Sequence, residues 1–185
     1  LVCQELGMKV IAISDVTGGI ANPKGIDIAA IFDHPTLETV ESEDRMNAGE
    51  VLEIKCDVLI PAALGGVITE SNCGKINADF IIEGANQPLT IAADLELRGQ
   101  GVIIVPDILA NSGGVMGSYF EWTQNIQEFS WPIEKFRSEL DIRMEKAFGN
   151  VHKVSKKYSV DLRTAAFIVS VERVAKAFEM RGSLV

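Results

Sequence analysis

Three strand-sized apolar runs, spaced by helix-length segments, constrain the fold of this chain more than any other feature. The runs occupy residues 57–61 (DVLIP), 79–83 (DFIIE) and 102–105 (VIIV). Helices are predicted between them, over 69–76 with its first threonine as the cap, and over 90–98. Strands that alternate with helices predict parallel βαβ units, and therefore an α/β fold with a doubly wound parallel sheet.

The segment before this alternation contains one more apolar run. Residues 9–15 (KVIAISD) have the character of a buried parallel strand. Turn-forming residues dominate 17–25 and predict a loop there. Short helices are predicted over 26–32 and 48–55.

The last third of the chain has helical periodicity. Helices are predicted over 114–127 and 133–158, and Asp161 is the predicted cap of a final helix. The apolar face of that final helix consists of Leu162, Ala165, Ala166, Val169, Val174 and Phe178. We therefore expect an α/β domain over 1–130 and a helical segment over 131–185 that packs on it.

Composition excludes several classes of partner. The net charge of −9 disfavours nucleic acid, because an acidic chain repels the phosphate backbone. The apolar runs are shorter than the roughly 18 residues that a membrane helix needs, so no membrane partner is expected. Cys3, Cys56 and Cys73 are an odd number without metal-binding spacing, which indicates reduced thiols in a cytoplasmic protein. No metal site is expected, since the two histidines are far apart in sequence.

Small and amide-bearing residues follow the predicted strands in three loops. These loops are 61–63 (PAA), 84–86 (GAN) and 111–114 (NSGG). Small residues let a flat ligand approach the backbone, and a side-chain amide both donates and accepts hydrogen bonds. The last loop also opens a helix, whose free N–H groups and positive dipole end should point into the space that these loops share. Because ligands bind at the carboxyl ends of parallel strands, we expect a ligand crevice here.

Two single residues, Asp15 and Ser118, each have two interpretations. Asp15 ends a strand, where an acidic residue binds the adenosine ribose in dinucleotide folds, or it caps the following loop. Val115 and Ser118 lie three residues apart on one helix face. The Ser118 hydroxyl either binds a substrate carboxylate or forms a hydrogen bond with the backbone of its own helix. The glycine-rich dinucleotide fingerprint is absent from the sequence.

Several stretches together resemble the glutamate dehydrogenase family. They are KVIAISD, CDVLIPAAL, IIEGAN, PDILANSGGVMGSYFEWTQN and RTAAFIVSVERVAKAFEMRG, which extend from Lys9 to Gly182. Leucine, phenylalanine and valine dehydrogenases share the fold and a PD…N-x-GG pattern, but SYFEW resembles the glutamate enzymes. The resemblance implies a Rossmann-type NAD(P)-binding sheet whose first strand and glycine loop would precede Leu1.

The resemblance also implies cofactor contacts. Asp15 would bind the adenosine ribose, with NAD as the cofactor, although Lys24 is a candidate donor to the extra phosphate of NADP. Ala62 and Ala63 would line the dinucleotide groove. Asn86 would lie near the nicotinamide-side ribose, and Asn111 would approach the nicotinamide end.

Substrate and assembly are implied in the same way. Val115 and Ser118 match the substrate pocket, with the Ser118 hydroxyl on the γ-carboxylate of L-glutamate, which is deaminated oxidatively to 2-oxoglutarate and ammonia. The family's catalytic lysines and aspartate belong to another domain, so no catalytic residue is expected in this chain, and the chain alone is expected to be inactive. Full-length members are typically homo-hexamers.

Two other functions remain open from the sequence. A stand-alone dinucleotide-binding module would serve regulation or assembly, although SYFEW and Ser118 argue against it. A branched-chain or aromatic amino-acid dehydrogenase would share the fold, but a hydroxyl at Ser118 suits a carboxylate better than an apolar side chain.

Overall fold

The computed structural model describes residues 2–42 and 44–182 and has an α/β architecture. The strands are β1 (Ala12–Asp15), β2 (Gly18–Ala21), β3 (Arg45–Met46), β4 (Cys56–Leu59), β5 (Ala78–Ile82) and β6 (Ile103–Val105). The helices are α1 (Val2–Glu5), α2 (Ile28–Ile31), α3 (Ala48–Val51), α4 (Ile91–Gly99), α5 (Asp107–Ala110), α6 (Ser112–Gln127), α7 (Ile133–Tyr158) and α8 (Leu162–Arg181). None of these helices is long and apolar enough to cross a membrane.

Strands β4, β5 and β6 form a three-stranded parallel sheet, which confirms the predicted fold class. Helix α4 returns the chain from β5 to β6, and its cap is Thr90, whose hydroxyl accepts a hydrogen bond from the Ala93 backbone N–H at 3.2 Å. Burial between the sheet and α4 removes apolar side chains from water, the main stabilising term in such a core. The core consists chiefly of Leu59, Ile68, Cys73, Ile81, Ala93, Leu97 and Ile104.

Strand β1 belongs to a different sheet, and its predicted parallel pairing is wrong. It pairs antiparallel with β2, in the order β1-β2-β3, and Asp15 lies opposite Gly18 across a two-residue turn. The segment predicted as a loop therefore contains a strand. The Asp15 carboxylate closes the turn by accepting hydrogen bonds from Thr17, and Gly18 has a φ of +146°, which favours glycine. In the described residues no strand joins this sheet to the parallel one.

The helix predicted over 69–76 is also wrong, since only a 3-10 turn forms, at Cys73–Lys75. The Asn72 side chain supplies the physical reason. Its Oδ1 accepts from the Thr69 N–H at 2.7 Å and its Nδ2 donates to the Val67 carbonyl at 2.8 Å. These local bonds offer the backbone an alternative to the helix, as asparagine commonly does.

The C-terminal helices follow the prediction closely. Helix α7 has the predicted bounds, and Asp161 caps α8 by accepting from the Thr164 N–H at 2.9 Å. Ala165 and Ala166 of α8 are buried, with Leu109 and Val151, in a second core cluster against α5 and α7.

The predicted apolar face of α8 is wrong at its C-terminal end. Val174 is 57% exposed and Phe178 is 71% exposed. They lie in the last turns, beyond the residues of α8 that join the core cluster.

Candidate functional site

The loops after β4 and β5 lie against each other at the carboxyl edge of the parallel sheet. The Ala85 N–H donates to the Pro61 carbonyl at 2.9 Å, and the Gly66 N–H donates to the Gln87 carbonyl at 2.8 Å. A side chain at Gly84 would place its Cβ only 3.0 Å from the Cβ of Ala62. Small residues at these positions therefore let the two loops lie close together, while the ligand approach predicted for them stays a prediction.

Asn111 joins them through two side-chain amides, although the loop predicted over 111–114 is wrong, because α5 follows β6 and residues 112–114 are already helical. The Nδ2 of Asn111, at the junction of α5 and α6, donates to the Oδ1 of Asn86 at 2.6 Å. Among the described residues neither amide has another side-chain partner, so one donor group and one acceptor group stay available. The structure thus joins Asn86 to Asn111 and sets Ala62 against Gly84, so this junction is the candidate for the predicted crevice.

The first turns of α6 follow directly after Asn111. Gly113 faces inward, where a Cβ would meet the Met144 sulfur at 3.6 Å, whereas a Cβ on Gly114 would have no atom within 4 Å. Val115 is 77% exposed, and Ser118 is exposed beside it on the same helix face, as predicted. The Ser118 hydroxyl donates to the Gly114 carbonyl at 3.2 Å, so it has a partner in its own helix and keeps its lone pairs free.

Asp15 lies in the antiparallel sheet and acts there as a loop cap. Its Oδ1 accepts from the Thr17 N–H at 2.7 Å and from the Thr17 hydroxyl at 2.6 Å, and its Oδ2 accepts from the Leu37 N–H at 2.7 Å. The bond from the Thr17 hydroxyl, followed by that from the Leu37 N–H, lowers the pKa of Asp15. The carboxylate is therefore ionised and fixed in direction, while its role at a ribose stays a prediction.

Comparison with known proteins decides the family. The model of the glutamate/leucine/phenylalanine/valine dehydrogenase family matches residues 1–182, which is nearly the whole chain. This chain belongs to that dehydrogenase family. The predicted resemblance is confirmed.

Glutamate dehydrogenases are prominent among the relatives of this dehydrogenase chain. The glutamate dehydrogenase of Thermotoga maritima is 47% identical over 186 residues, which cover 98% of the chain and 45% of the Thermotoga protein. The hetero-hexameric glutamate dehydrogenase of Thermus thermophilus, in its Leu-bound form, is 30% identical with a TM-score of 0.90, covering 98% of this chain and 44% of that one. The glutamate dehydrogenase of Peptoniphilus asaccharolyticus is 31% identical with a TM-score of 0.76, covering 97% and 42%. The chain thus spans less than half the length of these relatives.

The crevice suits one half of a dinucleotide. A flat ring that carries an amide needs small neighbours, an amide partner and open space. Ala62 is a small neighbour, Asn86 and Asn111 offer the amide partner, and open space lies beside Gly114. The pyrophosphate of a dinucleotide commonly binds a glycine-rich turn, and the 185 residues contain no such fingerprint. The residues around the Asn86–Asn111 pair are therefore compatible with the nicotinamide end of the cofactor.

Three charged residues behind the crevice were missed from the sequence. Glu83, Asp107 and Arg163 meet beneath the loops, and the Glu83 side chain is completely buried. Burial acts to lower the pKa of Arg163, but hydrogen bonds and the charges of Glu83 and Asp94 outweigh it and raise the pKa. The available clue was an acidic residue directly after a buried strand, where an unpaired charge would be very costly.

Proposed function

We propose that this chain is the cofactor-binding part of an NAD(P)-dependent glutamate dehydrogenase, which deaminates L-glutamate oxidatively to 2-oxoglutarate and ammonia. One observation carries the proposal: the loops after the parallel strands converge on the Asn86–Asn111 amide pair beside the open N-terminal turns of α6. Family membership supplies the reaction class, since this is a family of amino-acid dehydrogenases that use nicotinamide cofactors.

The proposed cofactor contacts follow the crevice. Ala62 and Ala63, both exposed, line the groove, and the free amide groups of Asn86 and Asn111 orient the nicotinamide end. When bound, the cofactor supplies the redox chemistry. The groups of this chain bind it and fix its direction.

The proposed substrate contacts lie on α6. Val115 packs against the aliphatic part of glutamate, and the Ser118 hydroxyl binds its γ-carboxylate while the positive end of the helix dipole favours the anion. Residues 1–130 form the cofactor domain and 131–185 the helical segment that supports it.

NAD is the proposed cofactor because of Asp15. A fixed carboxylate at the adenosine ribose accepts hydrogen bonds from its hydroxyls and repels the additional phosphate of NADP. The lowered pKa of Asp15 keeps this charge at neutral pH. Lys24 stays the candidate donor if NADP is used.

The groups that activate water and move protons are proposed to come from the remainder of the protein, so this chain alone is inactive. A cytoplasmic protein that assembles as a homo-hexamer is the proposed context, by analogy with the hetero-hexameric Thermus enzyme.

The test compares amino acids as substrates of the intact protein that contains this chain, by following NADH formation. Glutamate should be preferred over leucine, phenylalanine and valine by a factor of about 10⁴ or more, because apolar side chains leave the polar pocket groups unpaired. A preference for an apolar amino acid would favour the branched-chain or aromatic alternative. NADH binding without turnover of any amino acid would favour the regulatory module.

A further inference from the structure

A partly buried ionic cluster joins the last helix to the crevice loops. Its members are Glu83, Asp94, Arg98, Asp107, Asp161 and Arg163. Glu83 directly follows β5, and its side chain is completely buried. A carboxylate in that position persists only when a cation and hydrogen-bond donors compensate its loss of water. The cation is Arg163 of α8, which is 80 residues further along the chain.

The two oxygens of Glu83 bind two different elements. Oε1 accepts from the Arg163 Nη2 at 2.6 Å, and Oε2 accepts from the backbone N–H of Asp107 at 2.7 Å. The Asp107 carboxylate also binds two different elements. Its Oδ1 accepts from the Arg163 Nη1 at 3.3 Å, and its Oδ2 accepts from the backbone N–H of Gln87 at 2.8 Å. One planar guanidinium thus bridges the two carboxylates that tie the loop after β5 to the start of α5.

These bonds end next to the two amides of the crevice. Asn86 immediately precedes Gln87, whose φ of +47° is unusual for a residue other than glycine. Asn111 immediately follows the four residues of α5, which begins at Asp107. The 2.6 Å bond between Asn86 and Asn111 therefore lies between two backbone points that the same ionic cluster fixes.

We infer that Arg163 is a positioning residue: by bridging Glu83 and Asp107 it sets the separation of Asn86 and Asn111, and thereby the affinity for the nicotinamide half of the cofactor. The inference rests on the proposed function for its ligand. Its structural part, the ordering of two loops by a residue of α8, stands independently of any ligand.

The first measurement is hydrogen–deuterium exchange of the intact protein, read by mass spectrometry without cofactor. Arg163→Met should accelerate exchange about tenfold in peptides that cover 84–90 and 106–112, since both loops lose their common anchor. Strand 78–82 should keep its protection.

Arg98→Met is the matched control. Arg98 belongs to the same cluster, with its Nη2 at 2.6 Å from the Asp94 Oδ2 and its Nη1 at 2.8 Å from the Asp161 Oδ2, but it contacts neither Glu83 nor Asp107. It removes the same charge and should leave both peptides unchanged.

The second measurement is the NADH dissociation constant of the same proteins, from cofactor fluorescence. Arg163→Met should raise it about tenfold, and Arg98→Met by less than about twofold. Arg163→Lys should fall between them, because it keeps the charge but loses the planar fork that reaches both carboxylates. If Arg163→Met does not fold, both measurements are made on Arg163→Lys instead.

Equal exchange at both peptides in the Arg163 and Arg98 variants would overturn the inference and leave Arg163 as a general stabiliser. Faster exchange with an unchanged NADH dissociation constant would also overturn it, because the loops would then not control the affinity. If the wild-type protein binds no NADH, the proposed function fails, and the exchange comparison still decides whether Arg163 orders the loops.

Discussion

At the residue scale, Asp161 combines two roles at the start of α8. It caps the helix through the Thr164 N–H, and its Oδ2 lies 2.8 Å from the Nη1 of Arg98. Burial acts to raise the pKa of Asp161, but the hydrogen bonds from Thr164 and the charge of Arg98 outweigh it, so the pKa is lowered. The folded state therefore favours the ionised carboxylate.

Asp161→Asn should lower the free energy of unfolding at neutral pH by about 1 kcal/mol, because asparagine caps equally well but cannot pair with Arg98. A lowered folded-state pKa means that this stabilisation is present above the unfolded value of 3.8 and is lost as the pH falls through the folded value. Urea unfolding of both proteins at neutral pH and below pH 3.8 measures the difference. Asp27→Asn is the control, since Asp27 caps α2 and has no salt bridge within the described residues. A difference that does not change with pH would contradict the charge argument.

Ser118 separates a substrate contact from a purely structural hydroxyl. In the intact protein Ser118→Ala should raise the KM for glutamate about tenfold and change the NADH dissociation constant by less than about twofold, since one hydrogen bond to a charged group is lost. Thr123→Val is the matched control, because Thr123 donates to the Tyr119 carbonyl at 2.9 Å in the same helix. Initial rates and cofactor fluorescence give the two constants. Equal losses for both ligands would show that Ser118 is structural.

At the scale of elements, the N-terminal turns of α6 explain why a helix begins with adjacent glycines. Glycine weakens a helix relative to alanine, so its presence needs a reason. Gly113 packs against α7 at Met144, but a Cβ at Gly114 would have no neighbouring side chain within 4 Å in the described part of the chain. A bound ligand is the reason that the crevice suggests for Gly114.

Gly114→Ala should therefore raise stability and weaken binding together. We expect about 0.5–1 kcal/mol more stability, because alanine reduces the entropy of the unfolded chain, and a several-fold weaker NADH affinity, because the methyl group enters the crevice. Gly149→Ala is the control, since a Cβ at Gly149 would also have no atom within 4 Å, but this residue lies in α7. It should give the same stability gain without a change in affinity. Thermal unfolding measures the stability of both variants, and NADH titration measures their affinity. The same NADH affinity in both variants would refute the ligand explanation.

Elements with strong periodicity or a clear cap were predictable, and short ones governed by side-chain bonds were not. Helix α7 has its predicted bounds because 26 residues keep one apolar stripe. Helix α5 was missed because four residues carry no period, and its start depends on the Glu83 carboxylate from another element. Strand β2 was missed because its glycines indicate a turn, although Gly19 packs closely beneath Val51.

At the scale of the whole molecule, the meeting of the segments after the parallel strands was predictable, and the ionic cluster behind them was not. Parallel topology alone brings the segments after β4, β5 and β6 to one edge, so their meeting was expected from sequence order, whereas the roles of Ala62, Asn86 and Asn111 come from the family resemblance. Arg163 joins Glu83 across 80 residues of sequence, and no local pattern encodes such a pair. Asp15 lies in a second sheet, so its distance from the crevice could not be predicted either.

The two separate sheets also decide which protein should be assayed. Within the described residues each sheet has an unpaired edge strand on both sides, and exposed edges invite pairing with other chains. The intact protein is therefore the correct material for a test of cofactor binding.

The most direct test of the central claim is an NADH titration of the intact protein and of Asn111→Ala, followed by cofactor fluorescence. We expect saturable binding that is tighter for NADH than for NADPH. The NADH affinity of Asn111→Ala should be about tenfold weaker, since the variant removes a crevice amide and leaves Asn86 without its partner. Asn125→Ala, an exposed amide further along α6, should bind as the wild type does. Absence of saturation, or an affinity that Asn111→Ala leaves unchanged, would contradict the assignment of this crevice to the cofactor.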